Sequence, residues 1–347
     1  MRLAWLDALT PKQAQLMAWL ARRLAGAGFR VLLTVRSYDY TVGVAGVSGV
    51  EAIVVGGYGG GSLEGKLRAS AERILGLAGR VGGACVAVMY PSPSGARTAY
   101  GLGIPLIVLS DSPHSVPAHR LAVPLSDYLV HSSFIPGRLF ERYVLGAYTR
   151  RLTYRGFDEL EYIAGYRPSR RVLGELGLEE YGYVVVRPPE YKAAYYHGRR
   201  RPEIERLVEK ITGMGYRVVY LPRYPEQAEA VKGMRGVIVP ERAVKGLDLE
   251  AWAAAVVTGG ASMAREAALL GTPGISLYPG RLHVDEAVER LGAPLHHAGS
   301  PMDAWRILRE VLRSPEKHRR CMRGVLGLLE KPSDIVIPLA ERACKNT

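Results

Sequence analysis

Residues 254–280, AAVVTGGASMAREAALLGTPGISLYPG, decide the fold of this chain. The stretch opens on a short apolar run that predicts a buried strand ending at Thr258, and the two glycines after it allow a tight turn. An Ala-rich segment then predicts a helix that begins near Ala261 or Ser262 and runs to Gly271, before a second strand. Strand, turn, helix and strand in this order build a parallel sheet with helices packed on it.

The same alternation continues through most of the chain. Short apolar runs recur between longer segments whose apolar residues lie three and four positions apart, as in KQAQLMAWLARRLAGAG. The runs are RLAWLD, RVLLTV, EAIVV, ACVAVM, PLIVLS and DYLVHS in the first half, then YVVV, RVVYL, GVIV, AAVVT and PGISLY. This pattern predicts an α/β protein with parallel sheets and helices on both faces.

The length of 347 residues predicts two domains, because a single core stops growing near about 250–300 residues. Strand signals lapse around Gly165, where charged and turn residues collect. We therefore expect an N-terminal Rossmann-like domain at residues 1–165 and a second α/β domain at residues 166–332. Residues 333–347 predict a final helix, for which packing back across the domain junction is one option.

The composition indicates a folded protein of the cytoplasm. Hydrophobic residues make up 48% and charged residues 23% of the chain, which excludes a mainly disordered protein. Cys85, Cys321 and Cys344 are odd in number and far apart, which argues against a disulfide scaffold and against a structural zinc site. The first residues lack the apolar core of a signal peptide, and no run of about 18 apolar residues predicts a membrane span.

Two compositional biases bear on the source and the partners of the protein. Asn occurs once and Gln three times, beside many Arg and Glu residues, and this scarcity of thermolabile amides predicts a thermophilic organism. The net charge is +13, which indicates either a polyanionic partner or a basic proteome. Because the basic surplus is nearly equal before and after Gly165, no basic tail carries it.

The turn after the strand in the opening stretch is the strongest candidate for a ligand site. Helix N-termini expose unpaired N–H groups and a partial positive charge, so Gly259, Gly260 and Ala261 can hold a phosphate or a carboxylate. Ser262 either caps the helix or gives its hydroxyl to a ligand. Glu266 lies in the first turns, where its carboxylate can accept hydrogen bonds from a ribose diol. An ordinary strand–turn–helix with a capping serine is the alternative.

This stretch, including its Leu-Gly-Thr-Pro, resembles the nucleotide-sugar motif of the glycosyltransferase-B superfamily. That superfamily includes UDP-N-acetylglucosamine 2-epimerases and MurG-type glycosyltransferases, in which a Ser/Gly-rich turn binds the diphosphate and a Glu binds the ribose. The resemblance assigns the diphosphate to Gly259, Gly260, Ala261 and Ser262, and the ribose to Glu266. It implies a glycosyltransferase-B-like fold of two Rossmann-like domains with parallel sheets facing a cleft, the second domain binding the nucleotide sugar.

Further segments resemble a largely archaeal family of unknown function within that superfamily. They cover nearly the whole chain and are DALTP at 7–11, TVRSYD at 34–39, SLEGKLRASAER at 62–73, GLGIPLIVLSDSP, VVVRPPEYKAAYY, LPRYPEQ and GGASMAREAALLGTP. The resemblance implies an archaeal protein with the same two-domain fold.

The half that would carry the reaction departs from the characterised enzymes. The first loop of MurG-like transferases is rich in glycine, whereas this chain has DALTPKQ. Epimerases place an acid after the fourth strand and another after the fifth, but here YPSPSGAR has no carboxylate and only Asp111 remains. An epimerase is therefore less favoured than a transferase. Asp111 and His114 are our candidates for acid–base catalysis, because they follow a strand that points toward the cleft; turn chemistry around Pro113 is the alternative.

A second stretch, VVVRPPEYKAAYYHGRRRPEIERL, also combines a strand end with basic and aromatic residues. In parallel α/β sheets, ligands bind beyond the carboxyl ends of the strands. Arginine and lysine bind phosphates, tyrosine stacks on rings, and the two together also suit RNA. A solvated loop is the alternative. The candidates are Arg187 and Lys192 for a diphosphate, Tyr195 and Tyr196 for stacking, and Arg199, Arg200 and Arg201 for RNA.

The sequence therefore predicts a nucleotide-sugar-binding enzyme, with a glycosyltransferase that uses a UDP-sugar as the leading hypothesis. The alternative is a basic protein on the same scaffold that has lost catalysis and binds RNA or a ribosomal subunit. We expect a nucleotide sugar as substrate, no resident cofactor and no metal site, since the histidines lack metal-binding spacing. A homodimer stays an open option.

Overall fold

The computed structural model describes residues 2–38, 40–47, 49–191 and 203–345. The chain divides into two compact units, which we name unit 1 and unit 2. Unit 1 contains the residues up to Tyr162 together with those from Leu329 onward, and unit 2 runs from Ile163 to Leu328. Each unit is built on a parallel sheet, which confirms the fold class expected from the alternation of strands and helices.

Unit 1 is built on a seven-stranded sheet. Its strands are β1 (Leu3–Ala8), β2 (Arg30–Ser37), β3 (Ala52–Gly57), β4 (Val86–Met89), β5 (Leu106–Ser110), β6 (Tyr128–Ser132) and β7 (Arg150–Tyr154). They pair in parallel in the order β3-β2-β1-β4-β5-β6-β7. The helices that connect them are α1 (Pro11–Gly26), α2 (Thr41–Val47), α3 (Leu63–Val81), α4 (Pro93–Gly101), α5 (Val116–Ala122) and α6 (Arg138–Glu141), and α7 (Leu160–Ile163) follows β7.

Unit 2 is built on a six-stranded sheet. Its strands are β8 (Tyr183–Arg187), β9 (Arg217–Tyr220), β10 (Val237–Ile238), β11 (Ala255–Thr258), β12 (Gly274–Ser276) and β13 (Leu295–His297). They pair in parallel in the order β10-β9-β8-β11-β12-β13. Its helices are α8 (Arg171–Leu176), α9 (Ile204–Gly213), α10 (Pro225–Glu229), α11 (Gly246–Ala251), α12 (Ser262–Leu269), α13 (His283–Arg290), α14 (Pro301–Arg313), α15 (Pro315–His318) and α16 (Arg323–Leu326).

The inner strands are mostly apolar because helices cover both faces of each sheet. On β8, Val184 and Val186 pack with α9 on one face, whereas Val185 packs against Leu249 and Ala267 on the other. Alternate residues of one strand thus serve two separate core layers. This double burial explains why the strands are continuous apolar runs in the sequence.

Helix α1 shows how local sequence sets an element's start. Thr10 lies outside the helix in an extended conformation, and its side chain accepts a hydrogen bond from the Gln13 backbone N–H. Pro11 occupies the first turn, where no intrahelical N–H partner is needed. The helix follows β1 directly, so its first residues lie at the carboxyl end of β1, which pairs with β2 and β4 inside the sheet of unit 1.

Strand β7, RRLTY, has no counterpart among the apolar runs read from the sequence. It lies at the edge of the sheet, paired only with β6, and its first two arginines are exposed. An edge strand with solvent on one side needs no apolar run. Strand β13 is three residues long and was likewise absent from those runs.

The final helix α17 (Pro332–Ala343) belongs to unit 1 and contacts α1, β6 and β7 there. The buried Glu161 carboxylate accepts the backbone N–H of Ser333 at 2.8 Å and lies 3.3 Å from Nε of Arg23 on α1. Glu161 therefore joins the start of α17 to α1 through one carboxylate.

Two of the three cysteines form a disulfide, which the sequence analysis did not predict. Cys85, just before β4, is bonded to Cys344 at the end of α17, across 259 residues of sequence. Cys321 is free and exposed. The odd number of cysteines and their wide spacing in the sequence gave no indication of this pairing. The bond joins two elements of a packed α/β core.

Across the described part of the chain, no helix combines the length and the apolar character needed to cross a membrane.

Candidate functional site

The glycine turn between β11 and α12 is tightly packed against the end of β8. A Cβ atom at Gly259 would lie 2.2 Å from Cα of Pro189, so only glycine fits at this position. The Gly259 N–H donates to the carbonyl of Arg187 at 2.9 Å, which joins the carboxyl ends of β11 and β8. The turn therefore lies at the strand ends where parallel α/β sheets bind ligands.

Helix α12 begins at Ser262, and the residue that precedes it, Ala261, offers no side chain that could cap the helix. The Ser262 hydroxyl forms no hydrogen bond with any described residue. Of the two roles expected for Ser262, capping is therefore excluded, and the hydroxyl is available to a ligand. The N–H groups of the first turn have no intrahelical acceptors and carry the positive end of the helix dipole.

Arg223 lies beside the same turn, although the sequence analysis gave it no role. Its Nη2 atom would lie 3.4 Å from a Cβ at Gly260, and its Nε donates to the carbonyl of Pro188 at 3.3 Å. Its Nη1 is 3.7 Å from a carboxylate oxygen of Glu190. Arg223 follows β9 within LPRYPEQ, so a basic residue just beyond a strand end was the signal that could have revealed it.

Glu266 and Arg187 belong to a cluster with a third residue, Glu250, that the sequence analysis missed. Glu250 lies on α11, is 1% exposed, and its Oε2 has no hydrogen-bond partner in the described part of the chain. Burial raises the pKa of Glu250, and the charge of Glu266 raises it further, while the charge of Arg187 lowers it. Glu250 therefore favours its protonated, neutral form beside a second carboxyl group and a guanidinium group.

Six other residues predicted from the second stretch lie outside the described residues. They are Lys192, Tyr195, Tyr196, Arg199, Arg200 and Arg201.

In unit 1, Asp111 belongs to a charged cluster centred on Lys12. The ammonium group of Lys12, in the first turn of α1, contacts the Asp111 carboxylate and lies 3.4 Å from Asp158 and 3.5 Å from Glu159. The Ser112 hydroxyl donates to the second Asp111 oxygen at 2.6 Å, and the hydroxyl of the buried Tyr154 donates to Asp158. The cluster thus places three carboxyl groups around one lysine at the carboxyl ends of the unit 1 strands.

His114 lies three residues after Asp111 in an exposed position. Partial desolvation of the ring by the surrounding protein lowers the pKa of His114, while the negative charge of Asp111 raises it. The neutral imidazole is therefore favoured, which is the form a general base requires. The pairing of Asp111 and His114 in proton transfer stays a prediction.

Within the described ranges, no group of three or more His, Cys, Asp or Glu side chains has an arrangement that could hold a metal ion.

The two parallel sheets and the glycine turn define a two-domain α/β protein with a glycosyltransferase-B-like fold. The chain belongs to the family described as Protein of unknown function (DUF354), whose model matches residues 3–344. It is similar to the uncharacterized protein MJ0665 of the archaeon Methanocaldococcus jannaschii, with 24% identity over 349 residues, which cover 98% of this chain and 97% of that protein. The resemblance to a largely archaeal family is thereby confirmed.

Three solved structures show the same fold at low sequence identity. UDP-N-acetylglucosamine 2-epimerase from Rickettsia bellii has a TM-score of 0.70 and 11% identity, covering 100% of this chain and 98% of that one. UDP-GlcNAc 2-epimerase from Methanocaldococcus jannaschii, in complex with UDP-GlcNAc and UDP, has a TM-score of 0.68 and 14% identity, covering 98% and 100%. The spinosyn forosaminyltransferase SpnP has a TM-score of 0.59 and 16% identity, covering 99% of each chain.

Proposed function

We propose that this protein binds a nucleotide sugar through unit 2 and is a glycosyltransferase that uses a UDP-sugar. The observation that supports the proposal best is the glycine turn, where Gly259 is fixed against Pro189 and the open first turn of α12 follows. The Methanocaldococcus jannaschii epimerase, which has a similar fold, was solved with UDP-GlcNAc and UDP. We assign the same class of ligand to this chain.

In this proposal, different residues of unit 2 bind different parts of the nucleotide. The first N–H groups of α12 and the Ser262 hydroxyl bind phosphate oxygens, and Arg187 and Arg223 neutralise the diphosphate as the glycosidic bond breaks. Glu266 accepts hydrogen bonds from the ribose diol. The pKa of the neighbouring Glu250 is raised by burial and by the charge of Glu266, so Glu250 favours its neutral form beside the proposed ribose site.

A transferase is favoured over an epimerase by the loop after β4. That loop has no carboxylate, and the Ser92 hydroxyl within it donates to the buried Asp7 at 2.9 Å. Asp111 and His114 are the proposed proton-transfer residues of unit 1. The reaction needs the nucleotide sugar as substrate and no resident cofactor.

The proposed location is the cytoplasm. The Cys85–Cys344 disulfide is compatible with it, because intracellular proteins of hyperthermophilic archaea carry disulfides.

Glu266→Ala tests the ribose assignment. We expect UDP to bind the variant about 10- to 100-fold more weakly, because hydrogen bonds to a charged group contribute about 1.5–3 kcal/mol. Inorganic pyrophosphate, which has no ribose, should bind wild type and variant equally. Isothermal titration measures both, and Glu209→Ala, at an exposed position on α9, is the matched control.

Turnover separates the two enzyme classes. A transferase releases UDP from UDP-GlcNAc when an acceptor is added, whereas an epimerase interconverts two UDP-sugars without releasing UDP. The absence of any thermal stabilisation by UDP, GDP or their sugars at millimolar concentration would contradict the proposal, since a native-state ligand raises stability by mass action.

A further inference from the structure

A second group of charged and aromatic residues lies in unit 1, at the carboxyl ends of β1, β2 and β3. Arg36 lies near the end of β2, and its guanidinium carbon lies 4.9 Å from the ring centroid of Tyr38 and 5.6 Å from that of Tyr58. The two tyrosine rings are 4.6 Å apart. The proposed function gives no role to these residues, although Arg36 and Tyr38 belong to the TVRSYD segment.

A β-bulge sets the local geometry around Arg36. The register between β2 and β3 shifts at Arg36, so Val35 pairs with Val54 but Ser37 pairs with Gly57. Gly56, in the bulge, has a φ of +72°, and a Cβ there would lie 3.2 Å from the Arg73 side chain. Bulges at sheet edges redirect side chains and recur next to functional sites.

The nearby carboxylate of Asp7 is already fully engaged. Arg73 binds it through two hydrogen bonds of 3.0 and 2.6 Å, and both side chains are buried. The hydroxyls of Ser92 and Thr34 donate to the same carboxylate at 2.9 and 2.6 Å. Asp7 therefore compensates Arg73 and has little capacity left for a second guanidinium group.

Among the described residues, Arg36 has no carboxylate that compensates its charge, and some of its donors are unused. Its Nη2 donates to the Leu9 carbonyl at 3.0 Å, whereas its Nε is buried without an acceptor. No carboxylate of the described residues forms an ion pair with it. Burial lowers the pKa of Arg36, and the charge of Arg73 lowers it further, against weaker opposing effects of Tyr38, Tyr58 and Asp7. A bound anion would stabilise the charged guanidinium group against both its burial and the repulsion from Arg73.

We propose that Arg36, Tyr38 and Tyr58 form an oxyanion site in unit 1, for a ligand that joins a phosphate or carboxylate group to a flat apolar body. The guanidinium group donates hydrogen bonds to the oxyanion. The ring of Tyr58, which is 43% exposed, supplies the surface against which the flat body packs. These residues belong to unit 1, whereas the glycine turn belongs to unit 2.

Phenyl phosphate and methyl phosphate are the probes, titrated calorimetrically into the full-length protein at constant ionic strength. We expect phenyl phosphate to bind about three- to tenfold more tightly than methyl phosphate, because aromatic contacts add to the charge interaction. Arg36→Gln should weaken both probes by about tenfold or more. Tyr58→Leu should abolish the preference for phenyl phosphate. Arg80→Gln, at an exposed arginine of α3, should bind like wild type.

The difference between wild type and Arg36→Gln is the decisive quantity, because any phosphate bound by the unit 2 turn is retained in both proteins and cancels. This makes the result independent of the proposed function. Arg36→Lys keeps the charge but loses the planar donor pair, so it should bind several-fold more weakly than wild type. Equal affinities for wild type and Arg36→Gln would overturn the proposal, even if the variant melts at a lower temperature. Equal affinities for the two probes would overturn it as well.

Discussion

At the scale of single residues, unit 2 holds a buried carboxylic acid with a defined electrostatic role. Glu250 has an oxygen without a partner, and burial together with Glu266 raises its pKa. Two ionised carboxylates in one buried site repel each other strongly, so a proton on Glu250 allows Glu266 to keep its charge. Under the proposed function, this would make Glu250 a positioning residue for the ribose ligand.

Glu250→Gln should change how stability depends on pH. A carboxyl group whose pKa is raised in the folded state binds its proton more tightly there than in the unfolded chain, so stability falls as pH rises above the ordinary value of 4.5. The amide cannot ionise. The free energy of unfolding of the variant should therefore rise relative to that of wild type by about 1.4 kcal/mol for each pH unit, until the pKa of Glu250 in the folded protein is reached. Urea unfolding from pH 4.5 upward measures this.

The control for this prediction is Glu209→Gln, an exposed glutamate whose replacement should shift stability by a constant, small amount at every pH. A constant difference between wild type and Glu250→Gln across the same range would show that Glu250 is ionised in the folded protein.

Lys12→Met should destabilise unit 1 by about 3–5 kcal/mol at pH 7, because it leaves the buried Asp158 and Glu159 and the partly buried Asp111 without their shared cation. Denaturant unfolding at pH 7 measures the loss. Lys232→Met removes an exposed lysine paired with Glu229 and should cost under about 1 kcal/mol.

At the scale of elements, helix α17 is attached to unit 1 at both ends. Glu161 accepts the Ser333 N–H at its start, and Cys344 is bonded to Cys85 at its end. The apolar side chains of Val336 and Ala340 are fully buried between these points. The helix thus covers the sheet of unit 1 although it lies far from β4 in the sequence.

Cys344→Ser should lower the stability of unit 1 by about 2–5 kcal/mol, because the disulfide restricts the unfolded chain across 259 residues. Stability is measured by denaturant unfolding followed by the fluorescence of the four tryptophans, of which Trp5 and Trp19 lie in unit 1. Cys321→Ser is the matched control, since Cys321 is free and exposed. If a reducing agent destabilises Cys344→Ser as much as wild type, the bridge is not the source of the effect.

At the scale of the whole molecule, the net charge of +13 exceeds what one diphosphate requires. This surplus supports the alternative hypothesis of RNA or ribosome binding, whose candidate residues Arg199, Arg200 and Arg201 lie outside the described residues. Electrostatic binding to single-stranded RNA follows the salt concentration, with a logarithmic slope of about −0.7 for each phosphate neutralised.

Substituting all three of these arginines by alanine should flatten the salt dependence of RNA binding by about two units, if the alternative holds. Fluorescence anisotropy with a labelled homopolymer RNA over a range of salt concentrations measures the slope. An unaltered slope would exclude these arginines as the RNA surface.

The sequence by itself determined the α/β class, most of the strands, the glycine turn and the helix that follows it. These features depend on the spacing of apolar residues and on the special backbone of glycine and proline, which act over a few neighbouring residues. The edge strand β7 was not predicted from the sequence. One side of it faces solvent, so it lacks the apolar run by which a strand is recognised.

Only the tertiary structure decided which distant residues meet. Lys12 contacts Asp111 because the sheet order of unit 1 brings the loops after β1 and β5 to the same edge, and Glu250 faces Glu266 because α11 and α12 pack side by side. The Cys85–Cys344 bond depends on the position of α17. Such contacts follow from sheet order and long-range packing, so no local pattern of residues encodes them.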